Sequence, residues 1–298
     1  MTTRLAQGAV RASHTLRAFA RSRTLAFASL ATLLSCCSAP VAHAINTSAS
    51  SNGYGMFVDL NALNVVNLDV GPLPVGVNGV APAPYANSDT VLNVNVSTSV
   101  PVVATATATA GSVTATAASN VNGGVGSRTT SASGGVVGAG INAVTLPVLP
   151  PGITLLGING TLSSTAQIAG DFGSLTATGT TTIQSLGLTI SGIPVNLSAY
   201  VNVPIAPNTS VNLAALGIAN ASLILNEQVV AGDQSSIAVN AFHLNVNVAN
   251  SIVAQVILGH SQAQMTAVAI PEPATVGMAT VGMVGAVAAA RRRTRRGA

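Results

Sequence analysis

The sequence predicts an all-β protein whose central part is an antiparallel, sandwich-like domain, with one helix before it and one after it. Three observations indicate this fold. Apolar residues recur with period two, as in Leu92, Val94 and Val96, and this spacing buries one face of a strand. Clusters of Gly and Pro separate these runs, as in turns between strands. No helical period runs through residues 45–269, so only the two ends are expected to be helical.

The first 44 residues have the pattern of a secretory signal peptide. Arginines and no acidic residue precede an apolar run from Thr24 to Leu34, and the segment ends in Ala42-His43-Ala44. Signal peptidase accepts small side chains such as Ala42 and Ala44 at its cleavage site, so we expect cleavage after Ala44. The mature exported chain would then begin at residue 45.

Both cysteines, Cys36 and Cys37, lie inside this first segment. The run Leu33-Leu34-Ser35-Cys36 resembles a lipoprotein cleavage box, and in that alternative Cys36 would be lipidated. If cleavage instead follows Ala44, the mature chain contains no cysteine. Disulfides and cysteine metal sites are then excluded from it.

The charge of the exported part differs from that of the whole chain. The formal net charge of +4 arises from arginines at the two ends, because residues 45–269 contain six acidic side chains against Arg128 and have a net charge of −5. A protein that binds nucleic acid needs basic side chains against the phosphates. The exported part is therefore not expected to bind nucleic acid.

Within the exported domain, the alternation from Ala104 to Ala110 predicts a strand with alanines on one face and threonines on the other. A hairpin is predicted with Leu223 to Leu225 on one arm, a turn at Gly232-Asp233, and Ile237 to Val248 on the other arm. The apolar positions of the second arm change phase near Ala241, which predicts a bulge or a change of face there. The stretch near residues 111–140 is rich in Gly, Ser, Thr and Ala, and we expect loose strands or a flexible connection.

The last 29 residues, 270–298, have three parts in a fixed order. Pro271-Glu272-Pro273 is followed by an uncharged segment, 274–290, and then by a basic tail, 291–296, containing Arg291, Arg292, Arg293, Arg295 and Arg296. A helix over the uncharged segment would be roughly 26 Å long, enough to cross a bilayer with little tilt. The arginines belong on the cytoplasmic side, which places the domain before Pro271 outside the cytoplasm.

These three parts resemble a PEP-CTERM sorting signal. The resemblance implies that an exosortase recognises Pro271, Glu272 and Pro273 and removes the helix, after which the protein is released or anchored again. The expected location is the inner membrane during sorting and then the cell surface or extracellular matrix. The alternative is a simple C-terminal membrane anchor without processing.

The exported part also resembles the choice-of-anchor P group of PEP-CTERM substrates, through three segments before the anchor: 225–228, 239–244 and 256–261. This resemblance implies no established activity, cofactor or metal.

Candidate ligand-binding residues are few. His243 and His260 are predicted on neighbouring strands, and with Glu227 they would form a metal site only if the fold brought all three together. Thr105, Thr107 and Thr109 form a row on one strand face, and such a row binds ice or polysaccharide only if neighbouring strands repeat it. No nucleophile motif is present, so the sequence predicts a structural surface or exopolysaccharide-associated protein rather than an enzyme. A polysaccharide- or ice-binding module is the alternative.

Overall fold

The computed structural model describes residues 43–270, except residues 76, 102, 146–151, 219 and 249–250, and also residues 282–285. Residues Ala44–Ala269 form one compact unit. Residues 282–285 belong to a second unit and form a single helical turn. The account below concerns the first unit.

The described chain is built almost entirely from β-strands. Two short 3-10 helices, Ser198–Tyr200 and Ala214–Leu216, are the other regular elements described in this unit. The strands are β1 His43–Ala62, β2 Val66–Leu73, β3 Asn78–Val80, β4 Tyr85–Val100, β5 Ala104–Ser119, β6 Arg128–Thr145, β7 Thr154–Gly170, β8 Thr176–Ile190, β9 Ile193–Val195, β10 Thr209–Val211, β11 Ala221–Val230, β12 Ser236–Val248 and β13 Ile252–Ile270.

The strands form two sheets, in which the paired strands are antiparallel. A seven-stranded sheet has the order β10-β11-β12-β13-β1-β2, with β3 also paired to β1. A six-stranded sheet has the order β4-β5-β6-β7-β8-β9, so its strands follow one another in sequence. Apolar side chains from both sheets form a shared core, which confirms the predicted all-β, antiparallel, sandwich-like domain.

The core is filled by the inward side chains that the alternation predicts. On β5 the alanines from Ala104 to Ala110 are buried, whereas Thr105, Thr107 and Thr109 on the opposite face remain partly exposed. Larger side chains, among them Phe242 and Met56, fill the space between the sheets. Because burial of apolar surface stabilises by roughly 25 cal/mol per Å², this shared interior holds the two sheets together.

The sheets approach each other closely where β1 lies against β6. A Cβ atom on Gly53 would collide with the carbonyl oxygen of Ser133, and one on Gly134 would collide with the carbonyl oxygens of Tyr54 and His260. Stacked sheets are ordinarily about 10 Å apart, so glycine is required where the two backbones come into contact. The two sheets can pack at this point only because the residues between them have small side chains.

This close approach corrects the expectation for residues 111–140. Most of that stretch lies in the regular strands β5 and β6, which pair with each other over their length, and the loop between them covers only residues 120–127. Glycine and alanine make the stretch look unable to pack when read alone. The neighbouring sheet leaves room for little more than their small side chains, so the composition suits well-packed strands.

On three neighbouring strands of the seven-stranded sheet, the alternation of buried and exposed side chains reverses at the same level of the sheet. Asn226 on β11, Ala241 on β12 and Gly259 on β13 occupy one row, because the pairs on either side keep a constant register. Asn226 and Gly259 have positive φ values of 50° and 64°. On β12, both Ala241 and Phe242 are buried, which confirms the predicted change of face near Ala241 and the predicted hairpin.

A similar reversal on β4 makes the prediction for Leu92 wrong, because this residue does not share a face with Val94. The sequence pattern placed Leu92, Val94 and Val96 together, but Asn93 has a φ of +54°. Leu92 is consequently 65% exposed, whereas Val94 is 8% exposed and faces the core. Residues such as Asn tolerate the left-handed conformation, and the alternation therefore restarts with opposite phase after Asn93.

The predicted terminal helices fall largely outside the described residues. Residues 1–42 of the predicted signal peptide are not among them, and of the predicted span 274–290 only residues 282–285 are described. Within residues 43–270 and 282–285, no helix is long and apolar enough to cross a membrane.

Candidate functional sites

A connected group of polar side chains lies on the outer face of the seven-stranded sheet. Glu227 comes from β11, Asn240 and His243 from β12, and His260 from β13. Asn240 and His243 are three residues apart, yet both point outward because the phase change at Ala241 lies between them. We call these four residues the Glu227 network. The row formed by Asn226, Ala241 and Gly259 therefore determines which side chains of the network lie on the outer face.

Hydrogen bonds join the four residues in sequence. Asn240 Nδ2 donates to Glu227 Oε2 at 2.6 Å, and His243 Nδ1 lies 2.8 Å from the same oxygen. His260 Nδ1 lies 2.6 Å from Asn240 Oδ1. A carboxylate only accepts, so His243 carries a proton on Nδ1 and donates it to Glu227 Oε2. Because the Asn240 amide nitrogen donates to Glu227, the Asn240 oxygen accepts, and His260 donates to it from Nδ1.

The second ring nitrogen of His243, Nε2, also contacts polar side chains. Asn245 Nδ2 lies 3.0 Å from His243 Nε2, and Gln255 Nε2 lies 3.4 Å from it. With the proton on Nδ1, His243 Nε2 is an acceptor for these two side-chain amides. The imidazole therefore links the buried end of the network to two exposed amide groups.

Burial keeps His260 neutral. Desolvation lowers the pKa of His260 to about 4, and the nearby Glu227 carboxylate opposes this change by favouring the charged form. The His260 ring stacks on Tyr54 of β1, with 4.4 Å between the ring centroids and 18° between the planes. Burial likewise raises the pKa of Tyr54 to about 12. Both rings are neutral near pH 7 and anchor the inner end of the network.

This arrangement brings together the three residues considered for a metal site, but not as a set of ligands. Glu227 contacts His243 directly, whereas His260 reaches it only through Asn240. Among the described residues, no three His, Cys, Asp or Glu side chains converge to hold a metal ion. The geometry favours fixing the orientation of side chains, because each polar atom of the network named above already has a partner.

The second candidate surface lies on the outer face of the six-stranded sheet. One cross-strand row runs over five consecutive strands, β4 to β8, and each member pairs with the next. Every member carries a hydroxyl group and is at least partly exposed. We call it the hydroxyl row; it consists of Ser88, Thr116, Ser133, Thr165 and Thr180.

A parallel row, two residues along each strand, repeats most of this pattern. It contains Thr90, Thr114, Ser163 and Thr182, with Gly135 in the central position on β6. Neighbouring strands in a sheet are about 4.8 Å apart, so the two rows form a regular array of hydroxyl groups.

The threonine row predicted from the sequence is less complete. Thr105, Thr107 and Thr109 pair with Ser99, Ser97 and Asn95 on β4. On the other side they meet Val144, Asn142 and Gly140 of β6, where the hydroxyl pattern stops. Thr114 and Thr116, which gave only a partial copy in the sequence, belong to the more extensive array.

The residues predicted for export and sorting are mainly outside the described part of the chain. The backbone of Ala44 lies in β1, whereas Ala42 is not described. Pro271, Glu272 and Pro273 are not described either, nor are the five arginines of the basic tail. Strand β13 ends at Ile270, directly before the first of these prolines.

Comparison with protein families identifies this C-terminal segment. Residues 269–293 match the sequence model of the PEP-CTERM protein-sorting motif. The chain carries a PEP-CTERM sorting motif. This motif is the recognition signal of exosortases, so the chain is exported, sorted at the membrane and directed to the cell surface.

The PEP-CTERM match begins within the last two residues of β13 and includes Pro271-Glu272-Pro273 and Arg291 to Arg293. It does not include the exported domain, for which the choice-of-anchor P resemblance stays a prediction. Comparison with curated proteins gave no match. Comparison with solved structures also gave none. The individual roles of the sorting residues, like those of Ala42 and Ala44, stay predictions.

Sequence reasoning considered Glu227, His243 and His260 but missed the side chains that connect them. Asn240, Asn245 and Gln255 are ordinary members of an Asn- and Gln-containing strand pattern. One signal was present: the change of phase near Ala241 implies that Asn240 and His243 share a face. The cross-strand register needed to use it comes only from the fold.

Proposed function

We propose that the exported domain is a non-catalytic structural protein of the cell surface or extracellular matrix, in an exopolysaccharide-rich layer. The observation that carries this proposal is the PEP-CTERM motif directly after a β-sandwich whose outer faces carry the Glu227 network and the hydroxyl row. These faces present amide and hydroxyl groups, and residues 45–269 carry only seven charged side chains. Such a surface is hydrated and carries few charges, which suits contact with polysaccharide chains.

The proposal that the domain is not an enzyme rests on how its titratable groups are used. Catalytic acids and bases need free positions from which to exchange a proton with a substrate. In the Glu227 network, His243 donates from Nδ1 to Glu227, and its Nε2 accepts from Asn245 and Gln255. Both nitrogens of His243 therefore have hydrogen-bond partners within the protein, which supports a structural role for this residue.

The test is fractionation of cells that carry an exosortase and express the full chain with a surface epitope tag. We expect the protein in the extracellular matrix fraction, and we expect deletion of residues 45–269 to abolish its retention there. An exosortase-deficient strain provides the control for sorting. Recovery of the tagged protein only from the free culture medium, with exosortase present, would contradict the matrix role.

A second candidate function is binding of ice or polysaccharide through threonine-bearing strands. The hydroxyl row favours it, since Thr116 and Ser133 hydroxyl oxygens are 2.7 Å apart and the row spans five strands. The variant Thr116→Val/Thr165→Val removes two hydroxyls while keeping shape and β propensity. The matched control is Thr105→Val/Thr107→Val on the less complete row.

For this second function we expect thermal hysteresis or retention on a glycan column to be lost in the Thr116→Val/Thr165→Val variant and kept in the control. Equal behaviour of the two variants would exclude the hydroxyl row as the binding surface. Absence of both activities in the unmodified protein would exclude the function.

A further inference from the structure

A groove lies on the outer face of the seven-stranded sheet, beside the Glu227 network. It has a volume of about 560 Å³ and is open to solvent. This volume falls within the range of about 300 to 1,000 Å³ that is common for small-ligand sites. Its polar lining comes from β1, β11, β12, β13 and the residue before β11, and includes Asp59, Asn61, Asn220, Asn245, Asn247 and Gln255.

The strand register arranges these side chains as a grid. Asn245 on β12 pairs with Ser222 on one side and with Gln255 on the other. Two residues further along β12, Asn247 pairs with Val253, whose side chain is 47% exposed. The floor thus combines regularly spaced amides with one exposed apolar side chain.

The Asn245 amide at the centre of the groove is oriented by a hydrogen bond, and the Gln255 amide by a longer contact with the same nitrogen. Asn245 and Gln255 both direct their nitrogen atoms toward His243 Nε2, and His243 is held in turn by Glu227. Because an amide group is planar, its carbonyl oxygen then lies on the side away from the imidazole. The Glu227 network therefore gives the groove pre-oriented acceptors, which reduces the entropy lost on binding.

One acceptor in the groove has no partner within the described part of the chain. Asn61 Oδ1 is shielded from solvent and makes no hydrogen bond there. A buried carbonyl without a partner is unfavourable, so a rotation of the Asn61 side chain that brought this oxygen to a ligand donor would be favoured. Asn61 and Asp59 both belong to β1 and both line the groove.

We infer that this groove binds a neutral polysaccharide through its hydroxyl groups. A side-chain amide offers a donor and an acceptor, and so do adjacent sugar hydroxyls. The Asp59 carboxylate can accept from two hydroxyls, and Val253 offers an apolar contact for a sugar ring. No cationic side chain is among the lining residues, so an acidic polysaccharide would lack a charge partner. The inference deepens the proposed matrix function by naming its ligand class and a sheet face different from the hydroxyl row.

The test is frontal affinity chromatography of the full chain in a detergent without a sugar headgroup. The columns carry cross-linked dextran, amylose or cellulose, and a pectate column serves as the acidic control. We expect retardation on at least one neutral column, reversed by the soluble form of the same glycan. Retardation on pectate alone, or on none of the columns, would overturn the inference.

Two variants on the same strand and the same face locate the binding surface. Gln255→Ala removes an amide of the groove and should weaken retention by at least fivefold, whereas Gln262→Ala, outside the groove, should leave it within twofold. Asn247→Ala provides a second groove variant, and equal thermal unfolding midpoints verify folding. Equal retention of Gln255→Ala, Asn247→Ala and Gln262→Ala would overturn the assignment.

Matrix fractionation of the same variants separates this inference from the proposed function. If no neutral column retards the protein but it remains in the matrix fraction, the glycan groove is refuted and the matrix role stands. If the columns retard the protein but it is absent from the matrix fraction, the matrix role is refuted and the groove stands.

Discussion

Ser164 on β7 and Ser261 on β13 face each other across the interior of the sandwich, with 2.8 Å between their hydroxyl oxygens. Both residues are almost completely buried, and they belong to different sheets. Each hydroxyl satisfies the other in a region otherwise filled by apolar and glycine residues. The pair therefore fixes one point of contact between the sheets.

Replacement of one serine of this pair should cost more than replacement of both. Ser164→Ala leaves the Ser261 hydroxyl buried without a partner, so we expect the free energy of unfolding to fall by about 1 to 3 kcal/mol. The double variant Ser164→Ala/Ser261→Ala should recover much of this loss. Urea unfolding of the two single variants and the double variant measures the coupling. Strictly additive losses would contradict direct pairing.

The close approach of the sheets predicts a sharp difference between two glycines. Gly53→Ala should destabilise the protein by about 1 to 3 kcal/mol, since the new methyl group collides with the backbone of Ser133. Gly71→Ala is the control, because no atom lies within 4 Å of its added Cβ, and it should change stability by less than about 0.5 kcal/mol. Thermal unfolding compares them. A harmless Gly53→Ala would show that the sheets can separate there.

Stability should fall on acidification between pH 6.5 and 4. The folded protein lowers the pKa of His260 from 6.5 to about 4, so in this window the unfolded chain binds a proton that the folded protein does not. The effect of this residue is of the order of 3 kcal/mol. Urea unfolding at pH 7 and pH 4.5 measures it, and His260→Gln should show a smaller difference between the two values. An unchanged difference in that variant would assign the acid sensitivity to other groups.

Two carboxylates lie directly opposite each other at the edge of the seven-stranded sheet. Asp59 pairs with Asp69, and both are exposed. Like charges at such positions are destabilising, so Asp69→Asn should raise the free energy of unfolding by about 0.2 to 1 kcal/mol. The gain should shrink in 1 M salt, where the Debye length is about 3 Å. A gain independent of salt would point to a cause other than charge repulsion.

Replacement of Pro271-Glu272-Pro273 by alanines should hold the protein in the inner membrane at full length. The PEP-CTERM match includes these residues, and we expect the exosortase to recognise them. Mass spectrometry and membrane fractionation of the variant and the unmodified protein measure the outcome. Pro82→Ala/Pro84→Ala, in the loop before β4, is the matched control and should be sorted normally. Equal mass and location of the motif variant and the unmodified protein would favour a simple anchor.

Much of the fold follows from local patterns in the sequence. The alternation of Ala104 to Ala110 places the alanines inside, and the phase change near Ala241 is visible in the order of apolar residues alone. These predictions succeeded because a strand exposes its two faces with period two wherever its backbone is regular.

The remaining features depend on contacts between distant segments. Leu92 was assigned to the wrong face because the left-handed conformation of Asn93 leaves no mark in the apolar pattern. The Glu227 network joins three strands through their register, and the glycine at residue 53 is explained only by the backbone of Ser133 in the opposite sheet. Single-strand patterns contain no information on either relationship.

The order of strands has a consequence for the timing of folding during export. The six-stranded sheet follows the chain from β4 to β9, so it can assemble stepwise as those segments emerge. Strand β1 emerges before them, but its neighbour β13 is the last strand of the domain. In a chain that crosses the membrane unfolded and from its N-terminus, the seven-stranded sheet closes only after Ile252–Ile270 has crossed, immediately ahead of the sorting signal. For such a chain, completion of the fold and arrival of the signal at the translocation exit would be nearly simultaneous.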